Sequence, residues 1–578
     1  MQNRQSVHPL FVMLIFSLSL LFLSVFSSAS LDGPRLENLT ETEIKYAHIY
    51  YNYNIFDHIL PASDGIGSPG GYKFFIPAPE RMAGITYVGH AARFRMVLER
   101  ARKGERLRIG ALGGSITAGQ GVGGAKFTYL QRFIDWLNFV MPPHDDKSGS
   151  PTSQQAAFQT QDTNVAVGLP RQHDFINGAV SGTESGYSSS CLHHHLIPGA
   201  DLVFVDYAMN DLPTASWPQA GPSRRAMERL VRKVLNLPSR PAVVLVNMFA
   251  MGPSHGKYWY TAERDFMEFA TYYSLPAVSL KAAVLPSVYA GGPEKLSLGA
   301  IFNGGLNHPG RGGHVVVFEV LVTLAMDLLR SNPRYLLESR TNTTETAAAG
   351  DATSLAEDGA AALLEVWNRP LPPPMAANNY ESSRQTCYIE DELLALTQPP
   401  VEGWEWTDEG RGKWGYVAMA PGKTLRLKFD TRLMGNRTDE DRFANIIVQI
   451  AFLQSYTRMR TARVDCTEGC QCSSVTIDAY SARQVSLTSM KDIKVTQHSA
   501  CIMAITSGPQ SHAATVGAAT ANVDAVGRGG GDEMFKFKLM GVVVGEEPGA
   551  SAGTVTSVRG DSHVLWKRTR DAAGAQHY

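Results

Sequence analysis

Short apolar runs alternate with amphipathic segments between residues 107 and 329. The apolar runs are short enough to be buried strands and lie at residues 107–112, 174–176, 201–207, 242–249 and 277–283. Segments with helical periodicity lie between and after them, at residues 128–140, 224–237, 264–273 and 313–329. This alternation predicts a parallel sheet with helices on both faces, and therefore an α/β domain.

Four short polar or glycine-rich motifs stand where these strands end or where the last helix begins. They read GGSITAGQG from Gly113, NGAVSG from Asn177, YAMND from Tyr207 and NHPGRGGH from Asn307. The carboxyl ends of parallel strands share one edge of a sheet, so loops far apart in sequence can meet in a single crevice. A hydroxyl, hydrogen-bond donors and an imidazole would then converge there, which are the parts of a serine acyl-transfer site.

In these motifs the chain resembles the SGNH hydrolases, a branch of the GDSL-type esterases and lipases, over roughly residues 80–332. The resemblance implies a three-layer, flavodoxin-like α/β fold that hydrolyses carboxylic esters without a cofactor. It implies that Ser115 is the nucleophile and His308 the general base. It also implies that the oxyanion is bound by the backbone N–H groups of Ser115 and Gly182 and by the Asn210 amide. The leading motif is GGSIT rather than the literal GDSL.

One residue that the family pattern calls for is absent. Members usually have an aspartate three residues before the histidine, and that position here is Gly305. The aspartate normally holds the imidazole tautomer and stabilises its charged form. Three alternatives follow: Asn303 or Asn307 orients the ring, a backbone carbonyl does so, or the domain is catalytically impaired.

Each motif alone also has a purely structural interpretation, such as Ser115 capping a helix after a glycine turn. Their occurrence together, in order and next to predicted strands, favours the catalytic interpretation. The run His193-His194-His195 is interpreted as a solvated or partly packed helix end rather than a metal site, since no partner cluster accompanies it in the sequence. We predict no metal site.

The amino terminus predicts entry into the secretory pathway. Arg4 precedes an uncharged apolar stretch at residues 10–26, and Ser27-Ser28-Ala29 resembles a signal-peptidase site. Residues 1–29 are therefore a signal peptide or a type II signal anchor, so the protein is secreted or resides in the Golgi membrane. Membrane association is expected only if the anchor is retained. Candidate glycosylation sites are Asn38, Asn342 and Asn436.

The chain has 53 Lys plus Arg against 54 Asp plus Glu, and this balance gives no electrostatic signature of nucleic-acid binding. Beyond the α/β domain, we predict a linker at 333–375, a β-rich domain at 376–546 and a flexible tail at 547–578. Short strand-like runs separated by turn signals are typical of an antiparallel sandwich, with a loop at 507–532 before its last strand.

Five of the six cysteines lie in this β-rich part, which in an oxidising compartment favours disulfides over a zinc cluster. The odd one either pairs with Cys191 or stays free. Trp404, Trp406 and Trp414 either stack on sugar rings or fill a sandwich core, so the domain is carbohydrate-binding or purely structural.

Together these features predict a serine esterase that removes short acyl groups such as acetate, with an acylated small molecule or an extracellular or cell-wall glycan as substrate. Two alternatives remain open. One is a glycan O-acyltransferase of the secretory pathway, and the other is a non-catalytic glycan-binding protein with a decayed hydrolase domain.

Overall fold

The structure, a computed structural model, describes most of the chain between residues 74 and 545. The described ranges are 74–144, 172–213, 222–291, 296–303, 305, 307–330, 364–376, 379–381, 385–410, 412–432, 446–482, 486–511 and 535–545. The predicted signal segment, the three candidate glycosylation sites and the predicted tail lie outside them. The chain divides into two compact units, Met1–Phe75 and Ile76–Tyr578, and the elements named below belong to the second.

The amino-terminal part of this unit is built on a six-stranded sheet. Its strands are β1 (Ile85–Tyr87), β2 (Arg108–Gly113), β3 (Asp174–Asn177), β4 (Leu202–Asp206), β5 (Ala242–Asn247) and β6 (Ala277–Ser279). Their order is β1-β6-β5-β4-β2-β3. The five strands β2 to β6 run parallel, while β1 pairs antiparallel with β6 at the edge. The predicted α/β class is confirmed, with one antiparallel edge strand.

Several α-helices accompany this sheet in the described chain. They are α1 (Ala78–Gly84), α2 (Ala92–Arg102), α3 (Tyr129–Val140), α4 (Ser185–Ser190), α5 (Leu192–His195), α6 (Pro222–Leu235), α7 (Glu263–Tyr272), α8 (Leu280–Tyr289), α9 (Leu298–Ile301) and α10 (Arg311–Arg330). Helix α10 is the one described helix long and apolar enough to cross a membrane, but 83% of its apolar window is buried within the protein. It is packed as a core helix.

The central strands are apolar on both faces because both faces are covered. Every residue of β4 and β5 is buried, as expected for interior parallel strands. Strand β6 ends at Ser279, earlier than the predicted 283, because the Ser279 side chain accepts a hydrogen bond from Ala282 N and caps α8. The predicted strand 277–283 is therefore wrong in its second half.

The carboxyl-terminal part consists of two antiparallel sheets, which confirms the predicted β-rich class. Their strands are β7 (Thr386–Ile389), β8 (Thr397–Gln398), β9 (Glu405–Thr407), β10 (Gly415–Ala418), β11 (Thr424–Phe429), β12 (Ile446–Gln454), β13 (Arg460–Glu468), β14 (Val475–Asp478), β15 (Leu487–Val495), β16 (Cys501–Gln510) and β17 (Phe537–Gly545). One sheet has the order β15-β12-β17-β10-β9, with β7 also pairing with β17, and the other has the order β14-β13-β16-β11-β8. Helix α11 (Glu390–Ala395) follows β7.

Side chains from both sheets share one buried core, as in a sandwich. Leu427 and Ile505 come from one sheet, and Val448 and Val542 from the other. Strand β16 runs to Gln510, so the first residues of the predicted loop 507–532 are strand. Residues 512–532 of that loop lie outside the described residues.

The segment before the sandwich packs against the α/β part. Residues 364–375 fall within the predicted linker, and Arg232 of α6 donates to Pro372 O at 2.6 Å. Arg232 also pairs with Glu381 at 2.5 Å, and its own side chain is only 5% exposed. The carboxylate of Glu228, also on α6, accepts from the backbone N–H groups of Met375 and Ala376. A buried cation and a buried carboxylate thus each find partners in this segment, which ties it to the helix.

All six cysteines are paired. The bridges are Cys191–Cys387, Cys466–Cys472 and Cys470–Cys501. The odd cysteine of the β-rich part is therefore Cys387, and its bridge to Cys191 links that part to the α/β part.

Removing the bridge between the two parts is expected to destabilise the protein strongly. Cys191 and Cys387 are 196 residues apart, and a disulfide that closes a long loop restricts the unfolded chain most. We expect Cys191→Ser/Cys387→Ser to lower the free energy of unfolding by about 5 kcal/mol. The comparison is Cys466→Ser/Cys472→Ser, whose cysteines are 6 residues apart, with an expected loss of about 2 kcal/mol. Urea unfolding followed by tryptophan fluorescence measures both, and a larger loss in the short-loop variant would contradict this reasoning.

Candidate active site

Ser115 lies on the turn that leaves strand β2. Gln120 N donates to Ser115 O at 2.9 Å and closes this turn. Two neighbouring strand ends brace it: Thr117 Oγ1 donates to Asp206 Oδ2 at 2.6 Å, and Asn177 Nδ2 donates to Thr117 O at 2.8 Å. Burial raises the pKa of Asp206 to about 7. The position of the Ser115 hydroxyl is thus set by three adjacent strands.

His308 contacts this hydroxyl. Its Nε2 lies 2.8 Å from Ser115 Oγ, although 193 residues separate the two. His308 lies in the loop before α10, and the hydrogen bond from Gly310 N to Ile301 O at 2.9 Å holds that loop against α9. Burial of the ring lowers the pKa of His308 below its usual 6.5. A neutral ring with its proton on Nδ1 presents Nε2 as an acceptor for the hydroxyl.

Asn210 lies beside the nucleophile turn. Its backbone N–H donates to Tyr207 O at 3.0 Å, which makes a tight turn after β4. A Cβ added at Gly114 would lie 2.3 Å from Asn210 Nδ2. Glycine at position 114 therefore allows the Asn210 amide to approach the residue that precedes Ser115.

Gly182 lies on the loop between β3 and α4. It has φ of +70°, a conformation that favours glycine. Val180 N donates to Gly113 O at 2.9 Å, which joins this loop to the end of β2. At the start of α4, Ser185 N donates to Asp211 Oδ1 at 2.8 Å, which joins the loop to the Asn210 turn as well.

Asn303 and Asn307, the predicted orienting residues, are both exposed. Within the described chain, the His308 ring contacts Ser115 Oγ through Nε2. Gly305 has φ of +107°, and an added Cβ there would meet no described atom within 4 Å. Orientation of the ring by Asn303 or Asn307 stays a prediction.

Three residues that the sequence motifs did not indicate contact the Gly182 loop from the β-rich part. Lys413 Nζ donates to Ser181 O, and Thr488 N donates to Gly182 O at 2.7 Å. The backbone oxygen of Ser486 would lie 2.6 Å from a Cβ added at Gly182.

The histidine run lies at the contact with the β-rich part. His194 Nε2 lies 2.9 Å from Cys387 O and 3.5 Å from Glu392 Oε2 on α11. His195 Nε2 lies 3.1 Å from the Tyr187 hydroxyl. Ligand-capable atoms of His193, His194 and Glu392 lie within 4.8 Å of one another. The expectation that no partner accompanies the run is therefore wrong in one respect, because folding brings a carboxylate to it.

The predicted tryptophans divide between core and surface. Trp404 is buried in the sandwich core, and Trp136 is buried in the α/β part. Trp406 and Trp414 stack with ring centroids 5.8 Å apart and an interplanar angle of 21°. Trp414 is 42% exposed, so this pair presents an aromatic face to solvent.

The described architecture, an α/β domain followed by a β-rich domain, confirms the fold that the resemblance in the motifs implies. The chain is similar to the solved structure of a two-domain esterase (CEX) active on acetylated mannans, co-crystallised with mannopentaose. That similarity has a TM-score of 0.50 at 18% identity and covers 81% of this chain and 98% of that chain. No protein-family model and no curated protein matches the chain.

Two weaker similarities cover a smaller share of the chain. One is to the M. smegmatis aryl esterase, with 16% identity, a TM-score of 0.23 and coverage of 39% of this chain and 100% of that chain. Another is to a Corynascus thermopiles carbohydrate esterase family 2 enzyme with a carbohydrate binding domain, with 15% identity, a TM-score of 0.23 and coverage of 39% and 66%.

Proposed function

We propose that the protein is a serine carboxylic-ester hydrolase that removes short acyl groups from a glycan. The observation that carries this proposal is the 2.8 Å contact between Ser115 Oγ and His308 Nε2 at the carboxyl edge of the sheet. A nucleophile within hydrogen-bond reach of a base, with donors close by, is the arrangement that acyl transfer requires.

In this mechanism His308 Nε2 takes the hydroxyl proton while Ser115 Oγ attacks the ester carbonyl carbon. The resulting oxyanion accepts hydrogen bonds from the backbone N–H groups of Ser115 and Gly182 and from Asn210 Nδ2. His308 then returns its proton to the departing sugar oxygen as the C–O bond breaks, which leaves an acyl-Ser115 ester. Water, deprotonated by His308, then attacks the carbonyl carbon of that ester. His308 returns this proton to Ser115 Oγ as the bond between Oγ and the acyl carbon breaks, which releases the carboxylic acid and restores the free serine.

The glycan part of the proposal is supported by the aromatic face of Trp406 and Trp414. Lys413, the residue before Trp414, contacts the loop that carries Gly182. An exposed aromatic face that includes the residue after Lys413 suits stacking of a sugar ring of the substrate. The two-domain esterase of similar fold acts on acetylated mannans. Three disulfides agree with a secreted protein, which would meet extracellular glycans.

The proposal is tested by measuring acetate released from acetylated mannan and acetylated xylan, with 4-nitrophenyl acetate as the small substrate. Turnover in the parent and its loss in Ser115→Ala are expected. Acetyl transfer to an added oligosaccharide, in place of acetate release, would support the acyltransferase instead. Glycan binding without turnover, unchanged by Ser115→Ala, would support the non-catalytic alternative that glycine at position 305 keeps open.

The pH profile of the parent is expected to reflect the lowered pKa of His308. The base must be neutral, and burial of its ring disfavours the charged form. Activity is therefore retained above pH 6.5 and is lost as the pH falls through a midpoint below 6.5. The measurement is kcat/KM for 4-nitrophenyl acetate from pH 4 to pH 8, and a midpoint at or above 6.5 would contradict the assignment.

Adding the missing carboxylate is expected to move this midpoint upward. Gly305→Asp places a negative charge where the family pattern has one, and a nearby carboxylate favours the protonated imidazole. Gly305→Asn is the matched control, because it has the same size and the same unfavourable positive φ but no charge. We expect a higher midpoint for Gly305→Asp than for Gly305→Asn. Equal midpoints would show that position 305 does not reach the ring.

A further inference from the structure

We propose that the β-rich domain completes the oxyanion hole of the α/β domain, with Lys413 as the positioning residue for the Gly182 N–H. This inference rests on the proposed ester hydrolysis. It extends the site to a side chain from a different domain, 232 residues from the backbone oxygen that it contacts.

The peptide group that links Ser181 to Gly182 connects Lys413 to the proposed oxyanion donor. The Ser181 carbonyl oxygen and the Gly182 N–H belong to one planar trans peptide, so they point in opposite directions. Lys413 Nζ donates to the Ser181 oxygen. A cation fixed on this oxygen sets the orientation of the peptide plane and directs the Gly182 N–H to the opposite side.

The ammonium also strengthens the donor. A charge-assisted hydrogen bond at the carbonyl polarises the peptide, and polarisation along a hydrogen-bonded chain makes the N–H at the other end a better donor. Lys413 thereby supplies positive charge to the oxyanion through the peptide without touching substrate. The gain is largest in the transition state, where the negative charge on oxygen is fully developed.

The second peptide group of Gly182 is held by the same domain. Thr488 N donates to Gly182 O at 2.7 Å. The peptide planes on both sides of Gly182 are thus fixed from the β-rich domain, while Val180 N fixes the loop to β2 from the other side. The Cys191–Cys387 bridge, at the end of α4, links the two parts covalently near this contact.

The β-rich domain packs closely against Gly182. A Cβ added there would lie 2.6 Å from Ser486 O and 3.3 Å from Lys413 Nζ. The domain therefore approaches the loop so closely that a side chain at position 182 would displace it, in addition to the cost of the positive φ.

The test compares substitutions of Lys413 in the full-length protein with 4-nitrophenyl acetate as substrate. Lys413→Met keeps the length of the side chain but removes its charge and donors. We expect kcat to fall by about 10- to 100-fold, which is less than for loss of a whole oxyanion donor. KM should stay within about twofold of the parent value, because the contact acts mainly in the transition state.

Lys413→Arg keeps the charge and the hydrogen-bond donors of the side chain, and its kcat should be close to that of the parent. Lys423→Met, at an exposed lysine of the same domain, is the control and should match the parent.

A second readout separates positioning from a general loss of structure. Affinity for a boronic acid, which forms a tetrahedral adduct with the serine, should weaken in Lys413→Met in parallel with kcat, at an unchanged thermal unfolding midpoint. If Lys413→Met does not fold, Lys413→Gln carries the same test. It removes the charge but keeps a neutral donor, so its kcat should lie below that of Lys413→Arg, and a kcat equal to that of the parent would overturn the role of Lys413.

The outcomes distinguish this inference from the function on which it rests. An active parent, inactivated by Ser115→Ala and matched in kcat by Lys413→Met, would overturn the role of Lys413 alone. A kcat loss in Lys413→Arg as large as in Lys413→Met would also overturn it, because the charge and donors would then be irrelevant. A parent without serine-dependent turnover would overturn the proposed function and this inference together.

Discussion

Ser115→Ala and His308→Ala are each expected to reduce kcat for 4-nitrophenyl acetate by at least about 10⁴-fold, since nucleophile and base act as one unit. Their atoms lie 2.8 Å apart. Initial rates of nitrophenol release measure both variants. The double variant should be no slower than either single variant, because residues that act together are strongly non-additive.

His144→Ala is the matched control for this pair, since His144 is an exposed histidine of the same domain. Its kcat should equal that of the parent. Retention of the parent rate in Ser115→Ala would show that another group performs the reaction, and retention in His308→Ala would show that the 2.8 Å contact has no catalytic part.

Asn210→Ala is expected to have the second largest effect, a loss of about 10²- to 10³-fold in kcat, or about 3 to 4 kcal/mol in the barrier. The Asn210 amide borders Gly114 at the nucleophile turn, and its Nδ2 is proposed to donate to the oxyanion. KM should change little, because the hydrogen bond forms mainly in the transition state. The values come from the substrate dependence of the initial rate.

A charged variant sharpens this prediction. Asn210→Asp has nearly the same shape, but an ionised carboxylate cannot donate and repels the oxyanion. Its kcat should fall at least as far as that of Asn210→Ala. A kcat within about threefold of the parent in either variant would remove Asn210 from the proposed oxyanion hole.

The interior strands of the parallel sheet could be predicted from the sequence, because strands buried on both faces are apolar at nearly every position. Strands β4 and β5 are buried at every position, so they read as continuous apolar runs. Strands β13 and β15 of the sandwich are hard to recognise in the sequence, because charged residues stand among their buried positions and no apolar run results. In β13 even the first buried residue is charged: Arg460 is fully buried, and its Nε donates to the backbone oxygens of Met419 and Phe535.

The sequence indicates those residues of the candidate site that stand in motifs directly after predicted strands. Ser115, Gly182 and Asn210 stand in motifs whose chemistry depends on residue type, and the parallel sheet brings such loops to one edge. Lys413 and Thr488 contact backbone oxygens of the Gly182 loop instead, so no complementary side chain in that loop signals the pairing. Their contribution depends on how two domains pack, which no local sequence pattern records.

The most direct test of the central claim is the site of covalent modification by a 4-nitrophenyl phosphonate ester, a reagent that requires an activated serine. The intact mass should increase by one phosphonyl group, and peptide mapping should place that group on Ser115 in the parent, with labelling at least about 10³-fold slower in His308→Ala. An unlabelled parent, a label on a different serine, or labelling of His308→Ala at the parent rate would contradict the proposal that His308 activates Ser115 as the nucleophile.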